Sequence, residues 1–199
     1  MNVVIIKYNA GNIKSVDYAL QRLGLRPEIT NDHEKIMSAD KVILPGVGEA
    51  STAMQYLKKN NIDRLIKGLR QPLLGICLGM HMLCRHSEEN DTPCIGIFDE
   101  TVKKFVPGAG MENITKVPQM GWNSIYELKE DLFDTAMEGS YVYFVHSYYV
   151  TKGENTAATC DYIMPFSAAL NRGNYYATQF HPEKSGKTGA KILENFIRL

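Results

Sequence analysis

Hydrophobic and polar residues alternate in blocks along the first half of the chain, and the blocks predict strands separated by helices. Three short apolar runs have the length of strands buried on both faces: Val3–Ile6, Val42–Leu44 and Pro72–Ile76. Apolar residues recur at helical spacing after the first run, in a helix that Gly24 should close, and a second helix should have Ser51 as its N-cap. Glu28–Thr30 is a weaker strand and Leu78–Cys84 a further helix. Buried strands separated by helices imply a parallel sheet.

The second half of the chain is richer in short β-like segments, which follow one another closely. These segments are Thr101–Phe105, Tyr141–Val150, Thr156–Tyr162, Ser167–Asn171 and Tyr175–Phe180. Asn171–Asn174 predicts a hairpin turn between the last two, and Lys187–Leu199 predicts a closing helix. No repeat, linker or low-complexity tract interrupts the pattern. We therefore predict one domain over residues 1–199, an α/β fold with a doubly wound, mostly parallel sheet and an antiparallel extension.

The composition narrows the classes of function. The 199 residues are 44% hydrophobic and 22% charged, and Lys plus Arg equal Asp plus Glu at 22 each. A formal charge of zero argues against a nucleic-acid partner. The apolar runs are too short to cross a membrane and no secretory signal follows Met1, so we expect a cytoplasmic protein. None of the four cysteines is spaced C-x-x-C, so we expect free thiols, no metal site and no cofactor.

The segment Gly75–Gly79 has the pattern G-x-C-x-G at the junction between a predicted strand and a predicted helix. This is the arrangement of a nucleophile elbow, with the sulfur of Cys77 in place of a serine oxygen. A helix N-terminus favours thiolate over thiol, because its free N–H groups and dipole stabilise negative charge. Most free cysteines are buried structural residues, but the two flanking glycines favour a tight turn around a nucleophile. We therefore predict that Cys77 is a nucleophile.

A thiolate nucleophile needs a base, and the base needs an orienting group. His181 follows an apolar strand, and Glu183 lies two residues later, on the same side of an extended segment. Pro182 keeps the preceding histidine in an extended conformation. Two exposed loop residues would have the same spacing, and a metal site is disfavoured because no further His, Asp or Glu has ligand spacing. The predicted base is His181, and Glu183 is its orienting group.

The loop Pro45–Gly48 follows a predicted parallel strand, at the edge of the sheet where α/β proteins keep their sites. Its glycines let a peptide plane turn towards a developing oxyanion, so the N–H groups of Val47 and Leu78 are the candidate donors. The loop also resembles part of a dinucleotide-binding loop. However, Ser51 stands where the third glycine would be, and the loop follows a later strand of the chain. An oxyanion hole is the preferred interpretation.

Three motifs occur in the order and spacing of a known family. P-G-V-G, G-I-C-L-G-M and F-H-P-E-K-S resemble the class I (triad) glutamine amidotransferases, and the resemblance covers essentially the whole chain. Further segments are similar to the glutaminase subunits of imidazole glycerol phosphate synthase: Gly11–Val16, Met120–Asn123, Tyr143–Tyr149 and Gln179–Gly186. The resemblance implies the class I glutamine amidotransferase fold, a doubly wound sheet with a nucleophile elbow.

The resemblance also implies a reaction and a set of glutamine contacts. Cys77 would attack the side-chain amide of glutamine, His181 would pass the proton to departing ammonia, and Glu183 would orient His181. Water would then release glutamate from the thioester. The residues expected to contact glutamine are Gly48, His81, Glu89, His146, Ser147 and Tyr148. Glu89 also fits a solvated run of charges at residues 88–91, and His81 stands where relatives commonly have glutamine.

A partner is expected because free ammonia turns into unreactive ammonium when it meets water. The glutaminase domain accounts for the whole chain, so the synthase should be a separate polypeptide. The resemblance implies a cyclase subunit with a (βα)₈ barrel, which would form a heterodimer and make imidazole glycerol phosphate and an aminoimidazole carboxamide ribonucleotide in histidine biosynthesis. The residues in segments that resemble the family's docking surface are Asn12, Gln119, Trp122, Tyr143 and Lys184. Trp122 also fits a core position.

Other functions share parts of this pattern. A cysteine α/β-hydrolase has the same elbow, but its acid precedes its histidine along the chain, whereas Glu183 follows His181. A flavodoxin-like binding module would tolerate the loss of a triad member, and no member is missing. A glutaminase of the same subfamily that feeds a different synthase, such as one that aminates a polysaccharide sugar, would have the same site. The identity of the synthase would distinguish it.

Overall fold

A sheet of eleven strands forms the centre of the protein in the computed structural model, which describes residues 1–9, 12–108, 110, 116–129 and 131–199. Gly11, the first residue of one segment that carries the family resemblance, lies outside the described residues. The described residues form thirteen strands, eleven in this sheet and two in a separate pair. In chain order they are β1 (Val3–Ile6), β2 (Glu28–Thr30), β3 (Lys41–Leu44), β4 (Leu73–Ile76), β5 (His86–Ser87), β6 (Thr92–Pro93), β7 (Thr101–Lys104), β8 (Gln119–Ser124), β9 (Tyr141–His146), β10 (Tyr148–Val150), β11 (Thr156–Asp161), β12 (Pro165–Arg172) and β13 (Tyr175–Thr178).

The helices cover the two faces of this sheet. They are α1 (Ile13–Arg22), α2 (His33–Met37), α3 (Ala50–Lys59), α4 (Ile62–Lys67), α5 (Leu78–Leu83) and α6 (Gly186–Arg198). Short 3₁₀ turns occur at Glu89–Asp91, Thr135–Met137 and Pro182–Lys184. No helix in the described part of the chain has both the length and the apolar character needed to cross a bilayer.

The first part of the sheet is parallel, as the apolar runs predicted. Its strand order is β2-β1-β3-β4-β13, and each neighbouring pair is parallel. Every residue of β1, β3 and β4 is buried, because helices pack on both faces. Leu20 of α1 and Phe196 of α6 belong to the core on one face, and Leu57 of α3 and Leu83 of α5 to the core on the other. The predicted doubly wound α/β fold is confirmed.

The antiparallel extension begins at β12, which pairs with β13, β11 and β10. Arg172 faces Tyr175 across the β12–β13 hairpin, and the two residues between them form the turn, with Gly173 at a φ of 58°. The predicted hairpin is confirmed. The sheet continues through β7, β5 and β6, while β8 and β9 form a separate two-stranded ribbon. One face of this ribbon lies towards the protein interior, and the other face is exposed to solvent.

Two predicted elements were wrong in detail. The predicted strand Tyr141–Val150 breaks at Ser147, because its first half pairs with β8 and its second half with β7. Ser51 is not a helix cap. The helix α3 starts at Ala50, and the free Ala50 N–H is bound by the distant carboxylate of Glu89, 2.8 Å away. The carboxylate of Glu89 therefore caps the helix, where the sequence predicted Ser51 as the cap.

Candidate active site

Cys77 lies at the sharp turn between β4 and α5, in a backbone conformation that few side chains adopt. Its φ is 53° and its ψ is −106°, and its N–H donates to the carbonyl oxygen of Thr178, 2.7 Å away. A non-glycine residue at positive φ persists only where its surroundings hold it in place. Close packing does so here, since a Cβ on Gly79 would overlap the carbonyl oxygen of Leu44. The predicted nucleophile elbow is present.

His181 and Glu183 form a buried hydrogen-bonded pair beside this turn. Nδ1 of His181 lies 2.8 Å from Oε1 of Glu183, and their side chains are 1% and 0% exposed. Asn12 donates to the same carboxylate oxygen at 2.9 Å. Because the carboxylate accepts from Nδ1–H, Nε2 of His181 is left for proton transfer, and it has no hydrogen-bond partner among the described residues. The pair is not the exposed loop that the alternative interpretation required.

The charge of His181 depends on Cys77. Burial alone would lower the pKa of His181, but the Cys77 thiol and the Glu183 carboxylate outweigh burial and raise it to about 10. A protonated His181 can therefore stand beside a negatively charged sulfur, which is the pairing that activates a cysteine nucleophile. No group of three or more His, Cys, Asp or Glu side chains within the described ranges is placed to hold a metal ion.

A cavity of about 340 Å³ opens beside Cys77. Val47 and Leu78, the expected oxyanion donors, lie on its wall. The wall also contains all the residues expected to contact glutamine: Gly48, His81, Glu89, His146, Ser147 and Tyr148. The fold thus brings the expected residues together around one space, and its size suits a small ligand.

Glu89 supplies an acidic group to the cavity wall. Its Oε2 accepts the hydrogen bond from the Ala50 N–H at the start of α3. Partial burial raises the pKa of Glu89, while the hydrogen bond from Ala50 acts in the opposite direction. Its carboxylate is therefore anchored in the wall rather than free on a solvated charged face, and it is suited to bind a cationic amine.

Gln119 and His146 are two buried residues of the β8–β9 ribbon, and His146 lies on the cavity wall. They face each other across β8 and β9, so their side chains share one face of the ribbon. Nδ1 of His146 donates to the carbonyl of Tyr148 at 2.7 Å, and burial lowers the pKa of His146 to about 3, so the ring is neutral and Nε2 is an acceptor. Neither this nitrogen nor Oε1 of Gln119 has a hydrogen-bond partner in the part of the chain that the structure describes. Nε2 of His146 can therefore accept an N–H group of a ligand in the cavity.

The loop Pro45–Gly48 holds one expected oxyanion donor in an internal hydrogen bond. The N–H of Leu78 donates to the Gly46 carbonyl, 3.4 Å away. The buried Tyr8 hydroxyl fixes the start of the loop by donating to its first carbonyl at 2.5 Å, and burial raises the pKa of Tyr8, so the hydroxyl keeps its proton. Gly48 ends the loop with a φ of 112°, which favours glycine. The Leu78 N–H is therefore turned to the loop in this conformation.

Apolar side chains are exposed on the outer side of the β8–β9 ribbon. Trp122 is 55% exposed, so it is not a core residue, and its ring meets the ring of Tyr143 edge-on with centroids 6.0 Å apart. Lys184 places its Nζ 5.9 Å from the centroid of the Tyr143 ring. Gln119 departs from the expectation, since it is only 3% exposed. Alternation along the strand puts its side chain on the inner face of the ribbon, opposite the face of Trp122 and Tyr143.

Gln179 was not among the expected site residues, yet its amide lies between Cys77 and His81. Its Nε2 is 3.8 Å from Sγ of Cys77, and its Oε1 is 2.7 Å from Nε2 of His81. The motif Q-F-H-P-E contains Gln179, but no local pattern connects it with His81, which is 98 residues away in the chain. His81 therefore lines the cavity and also supports the surroundings of the nucleophile.

Two neutral buried histidines should make the fold sensitive to acid. Burial lowers the pKa of His81 to about 4 and that of His146 to about 3, whereas a histidine in an unfolded chain titrates near 6.5. Below about pH 6.5 the unfolded chain binds protons that the folded chain does not, so the free energy of unfolding falls as the pH falls towards 4. The raised pKa of His181 adds stability that is already complete below about pH 6.5, so it does not change this trend.

Denaturant titrations between pH 7 and pH 4.5 measure this effect. The variant His81→Phe removes one of the two groups, so its free energy of unfolding should depend less steeply on pH than that of the parent. Equal slopes for the two proteins would contradict the assignment of His81 as a buried neutral histidine.

Comparisons with known proteins agree with this geometry. The family model described as glutamine amidotransferase class-I matches residues 4–199. The chain is 60% identical to the imidazole glycerol phosphate synthase subunit HisH of Bacteroides fragilis (strain YCH46), over 100% of both proteins. It is 44% identical to the protein of that name from Vibrio parahaemolyticus, over 99% of this chain and 98% of the relative. Its fold is similar to a crystal structure of a glutamine amidotransferase, with a TM-score of 0.74, 18% identity, and 99% and 98% of the two chains covered.

Proposed function

This chain belongs to the glutamine amidotransferase class-I family, and from this premise we propose that it is the glutaminase subunit of an imidazole glycerol phosphate synthase. It hydrolyses glutamine to glutamate and ammonia, and the ammonia is used by a cyclase subunit in histidine biosynthesis. The observation that carries the proposal is the buried His181–Glu183 pair beside Cys77, on a cavity of suitable size. Because the chain belongs to this family, the alternative that it is a cysteine α/β-hydrolase is excluded.

The first half of the reaction forms a thioester and releases ammonia. The sulfur of Cys77 attacks the side-chain carbonyl carbon of glutamine, and Nε2 of His181 holds the proton that the thiol has given up. The carbonyl oxygen becomes an oxyanion, which backbone N–H groups stabilise. His181 then donates its proton to the amide nitrogen, the C–N bond breaks, and ammonia leaves. Glu183 keeps the ring of His181 in the tautomer and direction that these transfers need, through the 2.8 Å bond to Nδ1.

The second half of the reaction consumes one water molecule. His181 is now neutral at Nε2, so it takes a proton from water while the water oxygen attacks the thioester carbonyl carbon. Collapse of the second oxyanion breaks the C–S bond and releases glutamate. The departing sulfur and the protonated His181 restore the starting pair. The same nitrogen thus serves as acid in the first half and as base in the second.

The polar groups on the cavity wall support glutamine as the ligand. Glu89 provides a carboxylate for the α-amino group, and the backbone of residues 146–148 borders the same cavity. Nε2 of His146, on the cavity wall, can receive an N–H group of the side-chain amide or of the ammonia that leaves it. A ligand with N–H donors therefore satisfies an acceptor that the described residues leave unsatisfied.

The β8–β9 ribbon connects this cavity with the surface on which we place the cyclase subunit. Its inner face carries Gln119 and His146, and its outer face carries the exposed pair Trp122 and Tyr143. Aromatic residues of this kind are frequent anchors of protein interfaces. A partner with a (βα)₈ barrel, bound here as a heterodimer, would receive ammonia through a path that excludes bulk water. The proposed location of the complex is the cytoplasm, where free thiols such as the four of this chain persist.

Trp122→Ala should weaken association with the cyclase subunit and leave the isolated fold intact. The side chain is 55% exposed, so its loss removes little core packing, while removal of an interface anchor raises the Kd by about 30-fold or more. Titration calorimetry with the purified cyclase measures the Kd, and thermal unfolding checks the fold.

The matched control for this prediction is Met37→Ala. Met37 is 65% exposed on α2. Its neighbour Ile36 belongs to the core on one face of the sheet, whereas Phe144 of the ribbon belongs to the core on the opposite face. We expect an unchanged Kd for this control. An unfolded Trp122→Ala protein, or a Kd equal to that of the control, would count against the docking surface.

Reconstitution decides between the cyclase and a different synthase. The chain is mixed with the imidazole glycerol phosphate synthase cyclase of the same organism, glutamine and the formimino-carboxamide ribonucleotide, and the release of imidazole glycerol phosphate is measured. Glutamine-dependent product is the expected result. Glutamate release without product, together with synthesis by a different co-purifying synthase, would replace the partner and leave the glutaminase assignment in place.

A further inference from the structure

The sulfur of Cys77 has a hydrogen-bond neighbour that the proposed reaction does not use. Nε2 of Gln179 lies 3.8 Å from Sγ, and Oε1 of the same amide lies 2.7 Å from Nε2 of His81. Gln179 has no exposed surface and His81 is 5% exposed, so bulk water does not compete for these contacts. The amide is therefore held at both ends, at the nucleophile and at His81.

The tautomer of His81 is coupled to the direction of the Gln179 amide. His81 is uncharged at neutral pH, because burial lowers its pKa to about 4. Its Nε2 meets the amide oxygen, which only accepts, so Nε2 carries the hydrogen. The NH₂ group of Gln179 then points at Sγ, where it acts as a donor. With the amide reversed, its oxygen would face the sulfur and would stabilise the protonated thiol instead.

We propose that Gln179 donates a hydrogen bond to the thiolate of Cys77, and that His81 is a positioning residue that fixes the direction of the Gln179 amide. The proposal rests on the proposed function, in which Cys77 attacks as a thiolate. A hydrogen bond to an anion is stronger than one to a neutral group, so the amide favours thiolate over thiol. The protonated thiol has a weaker option, the Val145 carbonyl at 4.0 Å. His181 remains the group that moves the proton.

Several titratable groups surround the sulfur and form the background of any pH measurement. They are Tyr8 after β1, His81 on α5, His146 on β9, and His181 and Glu183 after β13. Burial keeps Tyr8, His81 and His146 uncharged between pH 5 and pH 9. These three groups therefore keep one charge state over that range and do not shape the measured pH profile.

The test is the pH dependence of Cys77 alkylation in the full chain. Iodoacetamide is the probe, because it is uncharged and reacts with thiolate, and mass spectrometry of the Cys77 peptide separates this residue from the other free cysteines. Gln179→Met keeps the volume of the side chain and loses the donor. We expect the midpoint of its pH–rate profile to rise by about one unit, with about tenfold slower alkylation below the midpoint. An unchanged or lower midpoint overturns the proposal, and a lower one means that the amide points the other way.

Two substitutions of His81 separate positioning from packing. In His81→Gln the new amide can donate where Nε2–H donated, so we expect a midpoint within about 0.3 units of the parent. His81→Phe keeps the ring and loses the donor, which frees the Gln179 amide to turn and should raise the midpoint by about half a unit. Added to Gln179→Met, His81→Phe should cause no further rise, because residues that act through one contact are not additive. A midpoint for His81→Phe equal to that of the parent overturns the role of His81.

Separate measurements distinguish this inference from the proposed function. Glutamate release by the parent chain with its cyclase tests the function. An active parent with unmoved midpoints in the variants rejects the inference alone, whereas an inactive parent rejects the function. Thermal unfolding identifies a variant that fails to fold. If Gln179→Met fails, Gln179→Leu takes its place, since it also has no donor and should raise the midpoint by about one unit.

Discussion

Cys77→Ala should abolish glutamine-dependent synthesis by the reconstituted complex and leave ammonium-dependent synthesis intact. In the proposed reaction the sulfur bonds to the substrate carbon, so its loss should lower the glutamine-dependent rate by about 10⁴-fold or more. Ammonium salt bypasses the glutaminase reaction and supplies the cyclase directly. The measurement is the rate of product formation with each nitrogen source, at equal concentrations of complex.

The chain offers controls for both sides of this result. Cys84→Ala changes another buried cysteine, which donates to the Met80 carbonyl and is not part of the proposed machinery, so both activities should persist. His181→Ala should reproduce the split of Cys77→Ala, because nucleophile and base act as a unit. Glu183→Gln should have a milder effect, since packing partly replaces an orienting group. Loss of both activities in Cys77→Ala, with the complex intact, would give Cys77 a role other than glutamine hydrolysis.

The isolated chain should be a poor glutaminase, and cyclase with its bound acceptor should raise its rate at least tenfold. In this conformation the Leu78 N–H donates to the Gly46 carbonyl instead of pointing to a substrate oxygen. Loss of one oxyanion donor lowers a rate by roughly 10²–10³-fold. We expect the Val47 N–H to point away as well until the partner binds, and the glycines of the loop permit such a turn at little steric cost. A loop with two conformations needs a free-energy difference of only a few kcal/mol.

Glutamate release, measured with and without cyclase and acceptor ligand, tests this gate. The control uses cyclase without the acceptor ligand, which separates the effect of docking from the effect of the acceptor. Hydrolysis at full rate by the isolated chain would reject the gate and leave the proposed roles of Cys77, His181 and Glu183 unaffected.

The parts of the fold that the sequence predicted are those with a strong local pattern. The strand β1 has the predicted bounds, because an apolar run buried on both faces is short and well delimited. The helices α2 and α4 have five and six residues, too few for a helical repeat to stand out. The ribbon strand β8 mixes Gly121, Trp122 and Asn123, so it lacks a strand-like composition.

The candidate site shows the same division between local and distant information. Cys77 and the His181–Glu183 pair lie in short motifs whose spacing reflects their geometry, so the sequence indicated them. The contact between His81 and Gln179 joins α5 to the segment after β13, and only the folded chain brings them together. The burial of Gln119 likewise follows from pairing with β9, because the partner strand decides which side of a ribbon faces the core.

The backbone of β9 limits how the partner surface can be redesigned. The Tyr143 carbonyl accepts the N–H of His181 at 2.9 Å, and the Tyr143 N–H donates to Ser185 Oγ at 2.9 Å, while the same hydroxyl donates to the His181 carbonyl at 2.7 Å. The residue whose ring lies at the proposed docking surface thus holds His181, the proposed base, through main-chain hydrogen bonds. The side chains of Tyr143 and Trp122 can therefore be substituted to fit a different synthase without changing these main-chain hydrogen bonds. An insertion or a shift of register in β9 would displace His181 together with the proposed docking surface. Changes to this strand that alter partner binding would therefore also alter the reaction.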